Sequence, residues 1–480
     1  MVKIDFKANA YPMISRLPVS ETLDSLPDEW PDDPINDIRR MLARTRAKLA
    51  VLDDDPTGTQ AVHDVAVLTD WSADAIVEEL GSDLPALFLV TNSRSMPLAE
   101  AKAVTAEAGR NLHDAAARTG TRLDVVSRGD STLRGHFPGE SDVLAEALGG
   151  GHDAWILIPF FLEGGRYTIN DVHYVSDGEW LTPTGETEFA RDTTFAYRSS
   201  NLRQWVEEMT GGRVRAAEVA SISIDDLRVG GPDRVAGILS ELEGGRICIV
   251  NAASMRDLEV LTLSLLSVEE QGRRFLYRTA ASFLRTRLGQ RGRALLTAED
   301  LGLPESGGAL FVVGSHVPRT NGQLNELLRV SYVFGVEINV RELLSEASGP
   351  EIRRVADLAN KHLARGQDIV IYTSRDVVLG GDAAENLAIG ERIAGGVVEI
   401  VKAIEQRPRY IVAKGGTTAS NVATQGLGVS RAIGIGQAFP GAPVWELGRE
   451  SRFPGLKLVV FPGNVGGADA LTQTLARLKT

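Results

Sequence analysis

The sequence predicts an α/β protein of two domains, each a mostly parallel sheet flanked by helices, with the active site in the cleft between them. Three observations carry this. Short apolar runs alternate with stretches that set alanine and leucine at three- and four-residue spacing, the mark of βαβ units. A Gly-, Arg- and acid-rich stretch, "LGQRGRALLTAEDLGLPESGG" (288–308), interrupts the alternation before a fresh apolar run begins. Polar clusters follow the apolar runs directly, where parallel sheets carry their ligands.

Taken in order, residues 1–45, with "LPDEWPDDPIND", read as an irregular arm leading into a helix near residues 35–48. Residues 46–300 form the first expected domain, with strands at "KLAVLDDD", "ALFLVTNSR", "RLDVVSRGDST", "DAWILIPFF" and "ICIVNAAS". The stretch "MPLAEAKAVTAEAGRNLHDAAART" has the helical period between two of them. Residues 301–480 form the second, with strands at "ALFVVGSH", "VFGVEINV", "DIVIYTS", "YIVAKGGTT", "RAIGIGQ", "PVWEL" and "LKLVVFPGNVGG". A boundary is expected near residue 305, with a hinge over residues 300–310.

A 43% hydrophobic fraction is enough for real cores, so disorder is excluded for most of the chain. A formal charge of −13 and a pI near 5.2 argue against a general nucleic-acid or membrane surface, since both need a net basic face. Cys248 is the single cysteine, which excludes an internal disulfide framework and a cysteine-based metal cluster; in "RICIVNA" it reads as buried core. No apolar run approaches the roughly 18 residues of a membrane span, so the expectation is a cytoplasmic chain.

The candidate chemistry sits in the loops. Asp53, Asp54 and Asp55 follow the first strand; Thr91, Asn92, Ser93 and Arg94 follow the second; Ser127, Arg128, Gly129, Asp130, Ser131, Thr132, Leu133, Arg134 and Gly135 follow the third. "EGGRYT" adds Arg166. Carboxylates paired with guanidinium groups suit a polyhydroxylated acid: forked arginines for its carboxylate, aspartate oxygens for its hydroxyls. A plain loop salt bridge is the competing account of Asp130 with Arg134.

The later loops differ. Gly314 and Ser315, then Gly415, Gly416, Thr417 and Thr418, then Gly463, Gly466 and Gly467 lie between a strand and a helix, where backbone N–H groups can approach phosphate oxygens. A threonine helix cap with no ligand is the alternative for Thr417 or Thr418. No Gly-Lys dipeptide exists, so there is no P-loop; "GLGVSR" and "GIGQAF" lack the third glycine of a dinucleotide fingerprint. There is no H-E-x-x-H and no G-x-S-x-G, and structural roles are expected for His63 and His316.

Together "DDDPTGT", "RGDSTLRG", the Gly-Ser after the first strand of the second domain, "KGGTTASNVA" and "PGNVGGADAL" resemble the four-carbon acid sugar kinase family, in order, over residues 50–471. The resemblance implies an N-terminal sugar-acid domain and a C-terminal nucleotide domain. It implies substrate contacts at Asp54, Arg128, Asp130, Ser131 and Arg134, and nucleotide contacts at Ser315, Gly415, Gly416, Thr417, Thr418 and Gly463. Where relatives read "ADDLTGA" this chain has Pro56 in place of an apolar residue, and Lys414 precedes the double glycine; both suggest a subgroup.

The expected activity is ATP- and Mg²⁺-dependent phosphorylation of a hydroxyl, the terminal one, of a small-molecule acid such as threonate, erythronate or 3-oxo-tetronate. Asp54 or Asp130 is the candidate base, Arg128 and Arg134 the carboxylate holders, and Asp53, Asn92, Arg94, Ser131 and Arg166 further acceptor contacts. Lys414 is either a point charge on the phosphates or an exposed lysine at a strand end. The three aspartates cannot all be comfortable as buried anions, so one faces a hydroxyl or Mg²⁺ and another braces the turn. A nicotinamide-dependent sugar-acid oxidoreductase and a non-catalytic sensor are the rivals, a homo-oligomer is left open, and residues 181–202 read as a long loop at the acceptor site or an interface.

Overall fold

The structure, a computed structural model, describes residues 14–314, 318–345, 348–375, 378, 381, 383–463 and 465–479. It forms two compact units: residues up to Leu49 together with Met96–Arg291, and Ala50–Ser95 together with the chain from Gly292 onward. The expected division near residue 300 had kept 50–95 with the first domain.

The physical reason for the reassignment is strand pairing. Val65–Leu68, a strand absent from the sequence reading, runs antiparallel to Arg431–Phe439, with Arg431 opposite Leu68 and Gly434 opposite Val65. The Arg431 guanidinium then reaches Glu79 at 2.6 Å on the helix Ala73–Leu80.

The first unit carries parallel strands in the order Ala220–Ile222, Arg246–Val250, Ala154–Ile158, Phe275–Thr279, Leu123–Arg128. The 22-residue helix Leu98–Thr119 ends at Gly120, whose φ of 68° is the left-handed turn that glycine tolerates best. Trp205, Leu202, Val206 and Ile249 form a buried cluster with Leu133 and Phe137. Each such side chain contributes about 1.5–3 kcal/mol through burial. Cys248 lies in the same sheet, fully buried, and burial pushes its thiol up to about 12, so it is inert core.

A small antiparallel sheet, Leu17–Pro18, Trp180–Pro183, Val172–Ser176 and Arg166–Ile169, packs on Ile224 and Ala253. The arm is thus partly ordered: Leu17–Pro18 is a strand and Val19–Asp24 a helix. The lead-in helix spans Ile35–Thr45, stopped by Arg46 at φ 49°, and buries Ile35, Ile38 and Met41 against Leu266.

The second unit's strands are ordered Lys48–Asp53, Ala86–Val90, Val65–Leu68, Arg431–Phe439, Ala442–Leu447, Lys457–Phe461, Ile411–Lys414, Leu310–Val313, Asp368–Thr373, Val333–Ile338. Mostly parallel pairing was expected, and it holds for Lys457–Phe461 through Val333–Ile338. The hairpin of Arg431–Phe439 and Ala442–Leu447 is antiparallel within itself and to both neighbours, so the strands on its two sides run in opposite senses. Phe311, Val412, Val444, Val459 and Phe461 fill the core on one face. "GIGQAF" lies within a hairpin strand and not between a strand and a helix, so it cannot act as a dinucleotide loop.

The segment after Asp53 does not turn straight back. It runs to the hairpin as the 3₁₀ turn Gly58–Ala61, where the Thr59 hydroxyl accepts the buried Trp445 indole N–H at 3.0 Å. Trp445→Phe keeps most of the apolar contact and removes that donor; we expect the thermal midpoint to fall by the equivalent of about 1–3 kcal/mol. Scanning calorimetry of both forms is the check, and an unchanged midpoint would show the anchor to be idle.

Candidate active site

In the second unit the aspartate run divides its labour. The Asp53 carbonyl accepts from the Thr91 N–H at 2.9 Å and from its hydroxyl at 3.0 Å. Its carboxylate lies on Gly58, so close that a β-carbon there would sit 1.8 Å from Oδ2. Asp53 is fully buried in this packing and braces the turn, the role expected of one of the three aspartates. Asp55 accepts from the Thr57 N–H at 2.9 Å and the Thr57 hydroxyl at 2.5 Å, the local Asx geometry a carboxylate prefers at a turn. Its other oxygen is 2.5 Å from the Arg94 guanidinium, which also stands 3.7 Å from Asp54.

That same Asp55 oxygen, Oδ2, is 2.9 Å from where a β-carbon on Gly416 would fall. Glycine at 416 therefore lets a carboxylate approach the glycine loop, in addition to any approach by phosphate. Asn92, at φ 54°, donates from its side-chain amide to the Ser95 hydroxyl at 3.0 Å and shapes the loop that delivers Arg94.

Gly415, at φ 108° and ψ 138°, is the cap of the helix Gly416–Asn421, and no side chain caps it. Capping by Thr417 or Thr418 is therefore not what the threonines do: Thr417 is exposed, and the Thr418 hydroxyl packs 2.7 Å from a β-carbon position on Gly314. Ser315 and His316 lie outside the described residues. Gly463 is half-buried and faces open space on its β-carbon side.

Lys414 is not an exposed lysine at a strand end. It is fully buried, its ammonium donates to the carbonyls of Pro462 at 2.5 Å and Gly463 at 3.2 Å, and it lies 4.7 Å from the centre of the Phe461 ring. It ties the strand entering one glycine loop to the start of the other. Burial, with Arg319 adding to it, pushes the amine down to about 7. On the far side of that second loop, buried Gln323 donates to the carbonyls of Val465, Gly466 and Gly467 at 2.9, 3.3 and 3.0 Å.

In the first unit, Asp130 accepts from the Thr132 hydroxyl and from Arg134 Nε at 2.7 Å, so the loop salt bridge is present. Arg134 also lies 3.6 Å from Asp192 and 5.1 Å from the Phe189 ring, which Arg166 approaches at 5.6 Å. Residues 181–202 are therefore a wall of this cluster. Arg128 is buried at the end of its strand, beside Gly129, whose N–H donates to the Thr279 carbonyl at 2.9 Å. Arg278 donates to the Ser127 hydroxyl at 2.9 Å and packs on Gly129.

Two residues hold the loop from beneath. His173 Nε2 donates to the Ser131 carbonyl at 2.8 Å while Nδ1 accepts from the Thr168 hydroxyl at 2.9 Å, and the Tyr197 hydroxyl donates to the Thr132 carbonyl at 2.7 Å. They keep Leu133 at φ 68°, a costly backbone for leucine that its packing in the Trp205 cluster offsets. His173, Tyr197, Arg278, Gln323 and Phe189 were not picked out from sequence, because each acts across a long separation with no motif of its own. His63 bonds its neighbour Asp64 at 2.7 Å, away from these loops in sequence and role.

Two glycine-bearing loops at strand ends and two carboxylate–guanidinium clusters mark an α/β protein of two domains with polar loops at its strand ends. The comparisons agree. Residues 49–287 match the family model of a sugar-binding N-terminal domain, and 310–471 that of a nucleotide-binding C-terminal domain. The chain belongs to the four-carbon acid sugar kinase family. Haemophilus influenzae protein HI1011 is similar in fold, with 18% identity and a TM-score of 0.60 over 89% of this chain and 100% of that one. A Salmonella typhimurium LT2 protein is similar at 18% identity and a TM-score of 0.65, covering 89% and 98%. No curated protein matches the chain. Among the described residues no helix is long and apolar enough to cross a membrane.

Burial holds the His173 imidazole down to about 4, so between that value and 6.5 the unfolded chain binds the extra proton and stability falls as the pH falls. Urea midpoints between pH 4 and 7 should drop more steeply in the native protein than in His173→Gln, by up to about 1.4 kcal/mol per pH unit. Parallel curves would remove His173 as the acid-sensitive strut. For Lys414 the window lies between about 7 and 10.5, and the sign is the same: the unfolded chain holds the proton, so stability rises with pH. Lys414→Met should flatten that rise; equal slopes in the two proteins would contradict a depressed amine.

Proposed function

We propose that the chain is an ATP-dependent kinase that phosphorylates the terminal hydroxyl of a four-carbon sugar acid such as threonate, erythronate or 3-oxo-tetronate. The observation that carries this reading is the contact of the Asp55 carboxylate with Gly416, which sets the acid loop against the glycine loop within one compact unit. A kinase needs this neighbourhood, since the acceptor's proton must be taken beside the phosphate it attacks.

In this reading the backbone N–H groups of Gly416, Thr417 and Thr418, with Gly463 opposite, receive the phosphates; Ser315 joins them. Arg128, Ser131, Arg134 and Arg166 hold the acid, and Arg94 with Asn92 shape the acceptor side. Asp54 is the base: Asp130 already accepts from Thr132 and Arg134, whereas Asp54 sits next to the residue that touches Gly416. The acceptor oxygen attacks the γ-phosphorus, its proton passes to the Asp54 carboxylate, and the bond to the departing ADP breaks.

Mg²⁺ fits the donors present. It commonly takes one or two carboxylates and fills its shell with water and phosphate, and among the described residues no three acidic or imidazole groups converge to hold a metal alone. Asp55, whose carboxylate lies at the glycine loop, would hold it, and when bound it would supply neutralisation of the phosphate charge.

ADP release with Mg·ATP over a panel of four-carbon sugar acids is the test. Asp54→Asn should lower turnover about 10²–10⁴-fold while ADP still binds. Gly463→Val, which fills open space without an internal clash, should weaken ADP binding by at least about tenfold. Gly416→Val is less informative because it also strikes Asp55. No turnover on any acid, or full activity in Asp54→Asn, would overturn the assignment.

A further inference from the structure

At the opposite ends of the first unit's strands from Arg128 and Thr279 lies a cavity of about 340 Å³. It opens where Leu123–Arg128 and Phe275–Thr279 begin, beside the residues that precede Ala154–Ile158. The size suits a small metabolite. From Asp124 to Arg128 is four residues of strand, about 13 Å, so the cavity is separate from the acceptor cluster.

Its lining is polar in an unusual way. Arg122, Arg274, His113 and His152 line it, and Asp124 and Glu269 add two carboxylates. Beneath them Arg287, fully buried, bonds Asp124 at 2.7 Å and Glu269 at 2.5 Å, and the Tyr277 hydroxyl donates to Glu269. Two buried charges, Arg287 and Glu269, with half-buried Asp124 beside them, are costly at a strand start, and a plain hydrophobic floor would have served folding equally well. Arg287 and Arg122, the latter 3.7 Å from Asp124, balance the two carboxylates, which leaves Arg274 as the cation with no ion pair among the described residues.

Two groups in the wall lack partners. His152 Nδ1 is buried with no hydrogen-bond partner. The Arg274 guanidinium has no acceptor among the described residues; only its backbone is bonded, to Asp153. Arg273, by contrast, is spent on Asp153 at 2.9 Å. Burial first, and the nearby Arg274 charge second, push the His152 imidazole down to about 4, against the opposing pull of Asp153.

We propose that this cavity is a second ligand site of the chain, for a small hydroxylated anion: an acid or phosphate ester of a polyol, whose charged end pairs with Arg274 and His152 and whose hydroxyls donate to Asp124 and Glu269. The site is distinct from the catalytic loops and does not depend on the kinase reading. Since the strands that start at the cavity end at Arg128 and Thr279, its occupant is placed to sense or adjust the acceptor end.

The probe is glycerol 3-phosphate, with uncharged glycerol as control, titrated by calorimetry into the full chain. Saturable binding at about millimolar concentration or tighter is expected for the phosphate and none for glycerol. Arg274→Glu, at an exposed residue, should weaken binding by at least about tenfold, and Arg122→Glu should weaken it if the first variant fails to fold. Arg128→Ala should leave it intact. Absence of saturable binding, binding indifferent to Arg274 and Arg122, or binding lost in Arg128→Ala would each overturn the proposal; the last would place the ligand in the acceptor cluster instead.

Discussion

The second unit depends on one carboxylate. Asp55 is gripped by Arg94 and by the Thr57 turn, and it rests on the backbone of Gly416. Remove either grip and the oxygen loses the hydrogen bonds that justify holding an anion against a helix start. With the grip intact, an acid-bearing segment from one block of strands is fixed beside a glycine loop from another block, although six strand positions separate them in the sheet order. The antiparallel hairpin makes this feasible, because the segment crosses to it and is pinned at Thr59.

Lysine 414 plays the complementary part. A buried ammonium ordinarily costs several kcal/mol unless paired. Here two carbonyls and an aromatic face receive it, and the cost is offset by holding the turns at Gly415 and Gly463 in register. Gln323 fastens the other side of the last loop through three carbonyls. Glycine loops have no side chains of their own to hold them, so their rigidity comes from buried neighbours.

The first unit solves the same problem differently. Its Asp130, Thr132 and Arg134 bond to one another, and His173 and Tyr197 hold the carbonyls of the loop from below. Both supports arrive from the region read as a loose connection, residues 166–202, which turns out to be a small sheet with 3₁₀ turns. Phe189 and Asp192 form the wall beside Arg134 of this cluster.

The sequence by itself determined the α/β class, most strands of both units, the clusters at their ends and the family, because apolar period and loop composition are local properties. It also made Cys248 core and the Asp130–Arg134 pair a salt bridge in waiting. It kept 50–95 with the first domain, as the sugar-binding family model over 49–287 also does, but it did not show the strand Val65–Leu68, since a four-residue strand that pairs with residues more than 350 positions away leaves no local trace. It left Lys414 open between phosphate and solvent, and burial in the folded chain removed the solvent alternative. Which of three adjacent aspartates braces, which grips arginine and which stands nearest the chemistry was decided only by tertiary structure, because identical side chains differ solely in the neighbours that folding brings to them.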